Sequence, residues 1–408
     1  MTRRPSFAEP QPSRRHALGL LGAVFVGAAS GSLGTAAAAR AGAADTPADL
    51  LPGGEFDRFV AQRAEADQFS GTVLLAHRGH PVLTRSFGMA DKTRATPNRH
   101  DTIFNLASLT KSFTALAIAL LVQDGTVHLY ETLGTYLDGF SVEMKKVTIH
   151  QLLTHTAGMR NYSQTEAFRQ GLKQWTTTAE MMDGVMDIIR ATEVQPDPAP
   201  GLRHSYSNSG YFVLGAIAAR VSGQPYHDYI RRHVLAPAGM RRSDLYTRPQ
   251  VITNPDIARP YWTMPPDGPR VDFTTSEYFG FVGGPSEGIY STAPELLRFA
   301  RVLSSGRLLD TAYADLFTSG KFPLSPQDRP VTPAQARFYG YGFRVTVSGG
   351  QLLVGHSGSG PGTATNIDIY PHQDWAAIIL SNYDTTIEPI VQKGRELISR
   401  QTSQRHGR

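Results

Sequence analysis

Strand-like segments gather at the two ends of this chain, and a helical middle separates them. This distribution constrains the fold more than any single motif does. Gly71 to Arg78 reads as a strand, Gly79-His80 as a turn, and Pro81 to Phe87 as a returning strand, the signature of a hairpin. Far along the chain, Tyr339 to Val347 and Gln351 to His356 read as strands around a turn at 348–350. Thr363 to Tyr370 and the very apolar Trp375 to Ser381 follow, with a turn at 371–374 between them. Phe56 to Phe69 and Ile387 to Ser399 carry helical periodicity beside these strands. Strands need partners, so the expectation is an α/β fold: one antiparallel sheet built from both chain ends and flanked by helices. The middle reads differently. Ser108 to Gln123, Ile149 to Leu153, Thr178 to Ala191, Gly210 to Val221 and Tyr226 to Val234 look helical, with Pro and Gly clusters at 196–201, 255–269 and 283–288. The expected organisation is one domain over 54–400. Its α/β lobe takes about 54–107 and 289–400, and an inserted, mainly helical lobe takes about 108–288. A polar tail, 401–408, follows. A site belongs in the cleft between lobes, where pockets are common.

The first 43 residues read as a leader rather than as part of the fold. Arg14-Arg15 precedes an apolar stretch, Ala17 to Ala29, and Ala41-Gly42-Ala43 fits a small-residue cleavage site. Paired arginines ahead of such a stretch fit the twin-arginine type, which implies a secreted or periplasmic protein. The 13 apolar residues fall short of the roughly 20 that a membrane span needs, so no span is expected once the leader is gone. The leader also carries most of the charge. Five arginines against Glu9 give residues 1–43 a net +4 of the whole chain's +5. The remainder is near neutral, has no basic run with interleaved aromatics, and implies no nucleic-acid partner. There is no cysteine, which excludes a thiol nucleophile, disulfides and Cys-bound metal. The 13 histidines form no HExxH and no carboxylate cluster at ligand spacing, so no metal or other cofactor is expected.

Ser108-Leu109-Thr110-Lys111 opens the longest apolar helix pattern. Residues i and i+3 share a helix face, so the hydroxyl and the amine sit about one turn apart. Burial and the positive helix end both disfavour an ammonium ion, which suits a lysine that accepts a proton. A serine hydroxyl needs such a base before it is a useful nucleophile. Of the seven lysines, only Lys111 has a serine three residues before it. Tyr206-Ser207-Asn208 lies in an extended segment ahead of a helix. Residues i and i+2 point the same way there, so Tyr206 and Asn208 can address one cleft. His356-Ser357-Gly358 ends a strand pattern, and a Gly-rich stretch, Ser359 to Gly362, follows. A second serine motif competes. Gly284-Pro285-Ser286-Glu287-Gly288 matches GxSxG, but a nucleophile elbow needs a helix directly after the serine. Here Ile289-Tyr290 intervene and the next helix has its own start signal, so a Gly-rich cleft loop is the better reading.

Taken in order, SxxK, YxN and HxG resemble the motifs of serine hydrolases in the penicillin-binding protein and class C β-lactamase superfamily. Ile103 to Ala107, Leu152 to Met159, Gly288 to Thr292, Gly355 to Gly362 and Leu380-Ser381-Asn382 are similar as well, and the resemblance covers roughly 54–400. It implies an enzyme that cleaves an ester or amide through an acyl-enzyme on Ser108. Lys111 would be the base, and Tyr206 would share the acid–base work. Asn208, His356, Gly358 and Ser359 would hold substrate, with Asn208 also orienting Lys111. The backbone N–H groups of Ser108 and Ser359 would form the oxyanion hole. The implied substrates are small molecules or peptides: D-alanyl peptides and small esters first, β-lactams third. A penicillin-binding-like sensor with slow turnover is the alternative. His356 stands where β-lactamases carry lysine and matches the form found in certain DD-peptidases and esterases. The cation that would meet a substrate carboxylate is then missing at that position.

Overall fold

The computed structural model describes residues 46–193, 195–264, 268–324, 335–348 and 350–406. The leader expected over 1–43 lies outside these residues. Eight strands form one antiparallel sheet: β1 (Gly71–His77), β2 (His80–Phe87), β3 (Phe322–Pro323), β4 (Gln335–Tyr339), β5 (Arg344–Ser348), β6 (Gln351–Gly360), β7 (Thr363–Tyr370) and β8 (Trp375–Ser381). The order across the sheet is β2-β1-β8-β7-β6-β5-β4-β3. The N-terminal hairpin therefore joins through β1 beside β8, with Gly71 opposite Ser381 and His77 opposite Trp375. All seven residues of β8 are buried. A central strand covered on both faces needs apolar side chains in both alternating sets. Val73, Leu75, Ala377 and Ile379 face one layer, which holds α1 (Glu55–Glu65) and the closing helix, Glu388–His406. Leu74, Ala76, Ile378 and Leu380 face the other layer and share its core with the helices of the middle region. Those include α2 (Thr110–Gln123), α3 (Ile149–Leu153) and α4 (Asn208–Ser222); α5 (Ala293–Leu303), which follows the middle region, packs in the same layer. Among the described residues no helix is long and apolar enough to cross a membrane.

Three boundaries differ from the sequence reading. The single strand expected over Tyr339–Val347 is two strands, β4 and β5, with a reversal at 340–343. The reversal lets the chain touch α2: Ser112 Oγ donates to Gly342 O at 2.6 Å. Gly342 has φ +78°, and a Cβ there would meet the Ala115 Cβ at 2.4 Å. Strand β6 continues past His356 to Gly360, because Gly358 allows a close approach that a side chain would block. The closing helix, α6 in this numbering, runs to His406 instead of ending near Ser399; no Gly or Pro interrupts residues 395–406.

Candidate active site

A short bridge sets the site. Phe104–Asn105 pairs with Tyr290–Ser291, and the chain reverses directly afterwards. Ala107 has φ +44°, a left-handed conformation that costs a non-glycine residue about 1–2 kcal/mol. Asn105 Oδ1 holds the reversal by accepting from the Ala107 N–H at 2.8 Å. Ala107–Leu109 form a 3-10 turn that runs into α2, so Ser108 precedes the α-helix instead of starting it. A 3-10 turn stacks residues i and i+3, and Lys111 Nζ lies 3.0 Å from Ser108 Oγ. From the sheet side, Gly358 packs on the turn. A Cβ at Gly358 would sit 2.1 Å from Leu106 O and 3.0 Å from the Ala107 Cβ.

Lys111 is fully buried, with two further oxygen partners: Asn208 Oδ1 and Ser286 O, each at 2.8 Å. An amide or peptide carbonyl oxygen only accepts. A neutral amine has two N–H bonds and one lone pair. Those two acceptors take both N–H bonds and leave the lone pair facing the Ser108 hydroxyl. In the ammonium form the third N–H points to Ser108 Oγ instead. The same nitrogen can therefore take the Ser108 proton without moving. The rings of Tyr206 and Tyr211 lie 4.8 and 5.8 Å from Nζ, within reach of a cation–π attraction.

Tyr206, Ser207 and Asn208 lead into α4. Ser207 caps the helix by accepting from the Ser209 N–H at 3.1 Å, and it donates to Arg160 O at 2.8 Å. Asn208 donates its backbone N–H to Asn161 Oδ1 at 2.5 Å and its side-chain Nδ2–H to Ser163 Oγ at 3.3 Å, which turns its Oδ1 to Lys111. The structure thus brings Ser108, Lys111, Tyr206 and Asn208 together.

His356 sits differently. Its ring is 2% exposed and ends a buried chain of hydrogen bonds. The Ser207 N–H donates to His155 Nδ1 at 3.2 Å. His155 Nε2 meets the Tyr339 hydroxyl at 3.1 Å, that hydroxyl meets His356 Nε2 at 3.0 Å, and His356 Nδ1 meets Ser357 O at 2.6 Å. Both ends have fixed polarity: an N–H only donates, and a carbonyl only accepts. The chain is complete when both histidines are neutral, with protons on His155 Nε2 and His356 Nδ1 and the Tyr339 hydroxyl donating to His356. Burial holds His155 well below the ordinary histidine range, with the neighbouring His204 and Lys111 adding to the effect. The His155 ring also packs at a tilt of 39° on Tyr206, at 4.3 Å between centroids. This chain ties the Tyr206–Asn208 segment to β6. Tyr339→Phe should strand His155 Nε2 and His356 Nε2 without partners, at about 1–3 kcal/mol each. The expected result is a lower urea midpoint with an unchanged slope.

Strand β5 pairs only with the first half of β6, from Gln351 to Gly355. From His356 to Gly360 the β6 edge away from β7 therefore has no strand beside it among the described residues, an edge onto which an extended peptide can add. Two cavities border this stretch. One, of about 570 Å³, is lined by Ala107, Tyr162, Phe212, Ser359 and Gly360 among others. The other, of about 280 Å³, is lined by Tyr206, Arg344, His356 and Ser357 among others. Arg344 Nη1 donates to Ser357 Oγ at 3.0 Å. A cation therefore stands next to the position where the motif lacks one, delivered by the neighbouring strand.

Ser286 is fully buried, and its Oγ hydrogen-bonds the Tyr162 hydroxyl at 2.9 Å. It supports Lys111 through its carbonyl and lines neither of the two cavities. Sequence reasoning missed His155, Tyr339 and Arg344. His155 stood in Thr154-His155-Thr156-Ala157-Gly158 with no assigned task. Tyr339 and Arg344 were hidden inside what reads as one continuous strand.

An antiparallel sheet built from both chain ends, with a serine–lysine pair at the foot of the helical insertion, defines a serine hydrolase of the β-lactamase fold. A family model described as Beta-lactamase matches residues 56–399, and the chain belongs to that family. It is similar to penicillin-binding protein 4* of Bacillus subtilis (strain 168), with 29% identity over 348 residues that cover 82% of this chain and 73% of that protein. It is also similar to esterase EstB of Burkholderia gladioli, at 28% identity over 71% of this chain and 76% of the esterase. Among solved structures, the octameric penicillin-binding protein homologue from Pyrococcus abyssi superposes with a TM-score of 0.71 at 26% identity, covering 81% of this chain and 74% of that one.

Proposed function

We propose that this protein is an exported serine acyl hydrolase that forms an acyl-enzyme on Ser108 and releases a leaving group bearing a carboxylate, as a D-alanyl peptide would. Small esters are its second substrate class. The observation that carries this reading is Arg344 on Ser357 Oγ, in the cavity that Tyr206 also lines. Ser108 Oγ attacks the scissile carbonyl as its proton passes to Lys111 Nζ. The N–H groups of Ser108 and Ser359 meet the oxyanion; one such donor is worth roughly 10²–10³-fold in rate. Tyr206 passes a proton to the departing amine or alkoxide, and Asn208 and Ser286 O keep Lys111 aimed. Water then cleaves the acyl ester and restores Ser108. A relative named as a penicillin-binding protein and another named as an esterase support a fold that hosts both amide and ester chemistry.

The test compares an acyl-D-Ala-D-Ala peptide with its C-terminal amide, on wild type and on Arg344→Gln. A hydrogen bond to a charged group is worth about 1.5–3 kcal/mol. The variant should therefore lose roughly 10- to 150-fold in kcat/KM on the free acid and little on the amide. Equal losses on both would remove the carboxylate from the reading. Export rests on the leader over 1–43, and fractionation of the native host checks it.

A further inference from the structure

We infer that the larger cavity selects an acyl group carrying a positive charge, with Glu287 as the residue that receives it. This rests on the proposed acyl-enzyme reading and extends it to the acyl side. The leaving group is assigned to the cavity of Tyr206 and Arg344, so the acyl part falls to the cavity bordered by Ala107 and Ser359.

That cavity is walled largely by apolar and aromatic side chains, among them Tyr162, Phe168, Phe212 and Val282. Glu287 is half-buried among its lining residues. Its backbone is held tightly. The Gly284 N–H donates to Glu287 O at 2.8 Å, and the Glu287 N–H donates to Gly284 O at 3.2 Å. The preceding carbonyl, Ser286 O, accepts from Lys111. The Gly284–Glu287 pair closes the loop, Ser286 O ties it to Lys111 ahead of Glu287, and the Ile289 N–H ties it to Thr110 Oγ1 of α2 at 3.0 Å behind it. Among the described residues none donates a hydrogen bond to its carboxylate. The two arginines that share the cavity are engaged elsewhere. Arg169 Nε donates to Glu166 Oε2 at 2.8 Å, and Arg248 donates to Phe279 O and Thr274 O at 3.3 and 3.2 Å.

A carboxylate held in apolar surroundings without a partner is costly, and a cation brought beside it recovers that cost. Burial pushes the Glu287 carboxyl up, and the Lys111 charge pulls it back down. A second positive charge on the bound acyl group would act in the same sense as Lys111. The aromatic rings of Tyr162 and Phe212 add a surface that attracts an ammonium group.

The test uses two esters of one leaving group that differ only in charge: p-nitrophenyl 4-(trimethylammonio)butanoate and its carbon isostere, p-nitrophenyl 5,5-dimethylhexanoate. Wild type should prefer the cationic ester by roughly tenfold or more in kcat/KM, about 1.4 kcal/mol per factor of ten. Glu287→Gln should erase that preference while hydrolysing the neutral ester within about twofold of wild type, which also shows that it folds. Equal wild-type rates for both esters would overturn the inference. So would an equal slowing of both by Glu287→Gln, which would make the residue a base for water. A calorimetric titration of Ser108→Ala with the N-methylamides of the same two acids reads the preference without turnover. Tighter cation binding there supports the inference even if neither ester is hydrolysed, and equal binding overturns it. Failure of hydrolysis alone counts against the acyl-enzyme reading.

Discussion

Ser108→Ala is expected to abolish covalent acylation and to lower hydrolysis of any ester or peptide substrate by roughly 10⁴-fold or more, as removal of an attacking hydroxyl does in other serine enzymes. Intact mass spectrometry after mixing with a p-nitrophenyl ester, a D-Ala-D-Ala peptide or a penicillin should show an added acyl mass on the wild type and none on the variant. A peptide digest should place that mass on Ser108. The variant should fold normally, because Ser108 stands in a turn held by Asn105 and by packing against Gly358, neither of which uses its hydroxyl. Ser286→Ala is the matched control. Its hydroxyl hydrogen-bonds the Tyr162 hydroxyl, while its carbonyl, which holds Lys111, survives the change. Acylation should persist in that variant. A Ser286→Ala enzyme without acylation, beside an active Ser108→Ala enzyme, would reverse the assignment.

Lys111→Met carries the second large effect, and it acts on two quantities at once. Methionine nearly matches the length of lysine and is unbranched, so α2 should keep its packing. Without the amine, Ser108 loses its base, and general-base catalysis is worth roughly 10²–10⁴-fold. The change also leaves Asn208 Oδ1 and Ser286 O facing an apolar side chain, at about 1–3 kcal/mol for each unpaired buried acceptor. Single-turnover acylation should slow in proportion to the lost base, and the thermal midpoint should drop in the same variant. Slow acylation with undiminished stability would mean that the two carbonyl acceptors find water in place of the amine. Undiminished acylation would remove Lys111 from the role of base.

Several features of this site can be read before any fold is known. The spacing of Ser108 and Lys111 dictates their proximity in any helical or 3-10 turn. Tyr206 and Asn208 flank a residue that caps a helix. Period-two apolar runs place Val73, Leu75, Ala377 and Ile379 on one face of the sheet. Other features resist such a reading. The reversal at 340–343 looks like uninterrupted strand, because its cause is the neighbouring helix: Gly342 lies against Ser112 and Ala115, more than 200 positions earlier in the chain. The glycines after His356 look like a loop, yet they extend β6, because their lack of side chains lets the strand meet the Leu106–Ala107 turn. His356 itself reads as a group facing substrate. In the structure both of its ring nitrogens are engaged, by Tyr339 and by Ser357.

What the sequence by itself determined is local: which residues make strands and helices, that Ser108 and Lys111 lie one turn apart, and that the chain ends carry the sheet. Only the tertiary structure decided what surrounds that pair. Asn208 and Ser286, which aim Lys111 at Ser108, lie 97 and 175 positions away from it. Arg344 reaches Ser357 because β5 and β6 pair in one register. The physical reason is range. Backbone geometry and side-chain periodicity act over a few residues, whereas a buried amine takes its direction from whichever acceptors the packed core brings to it.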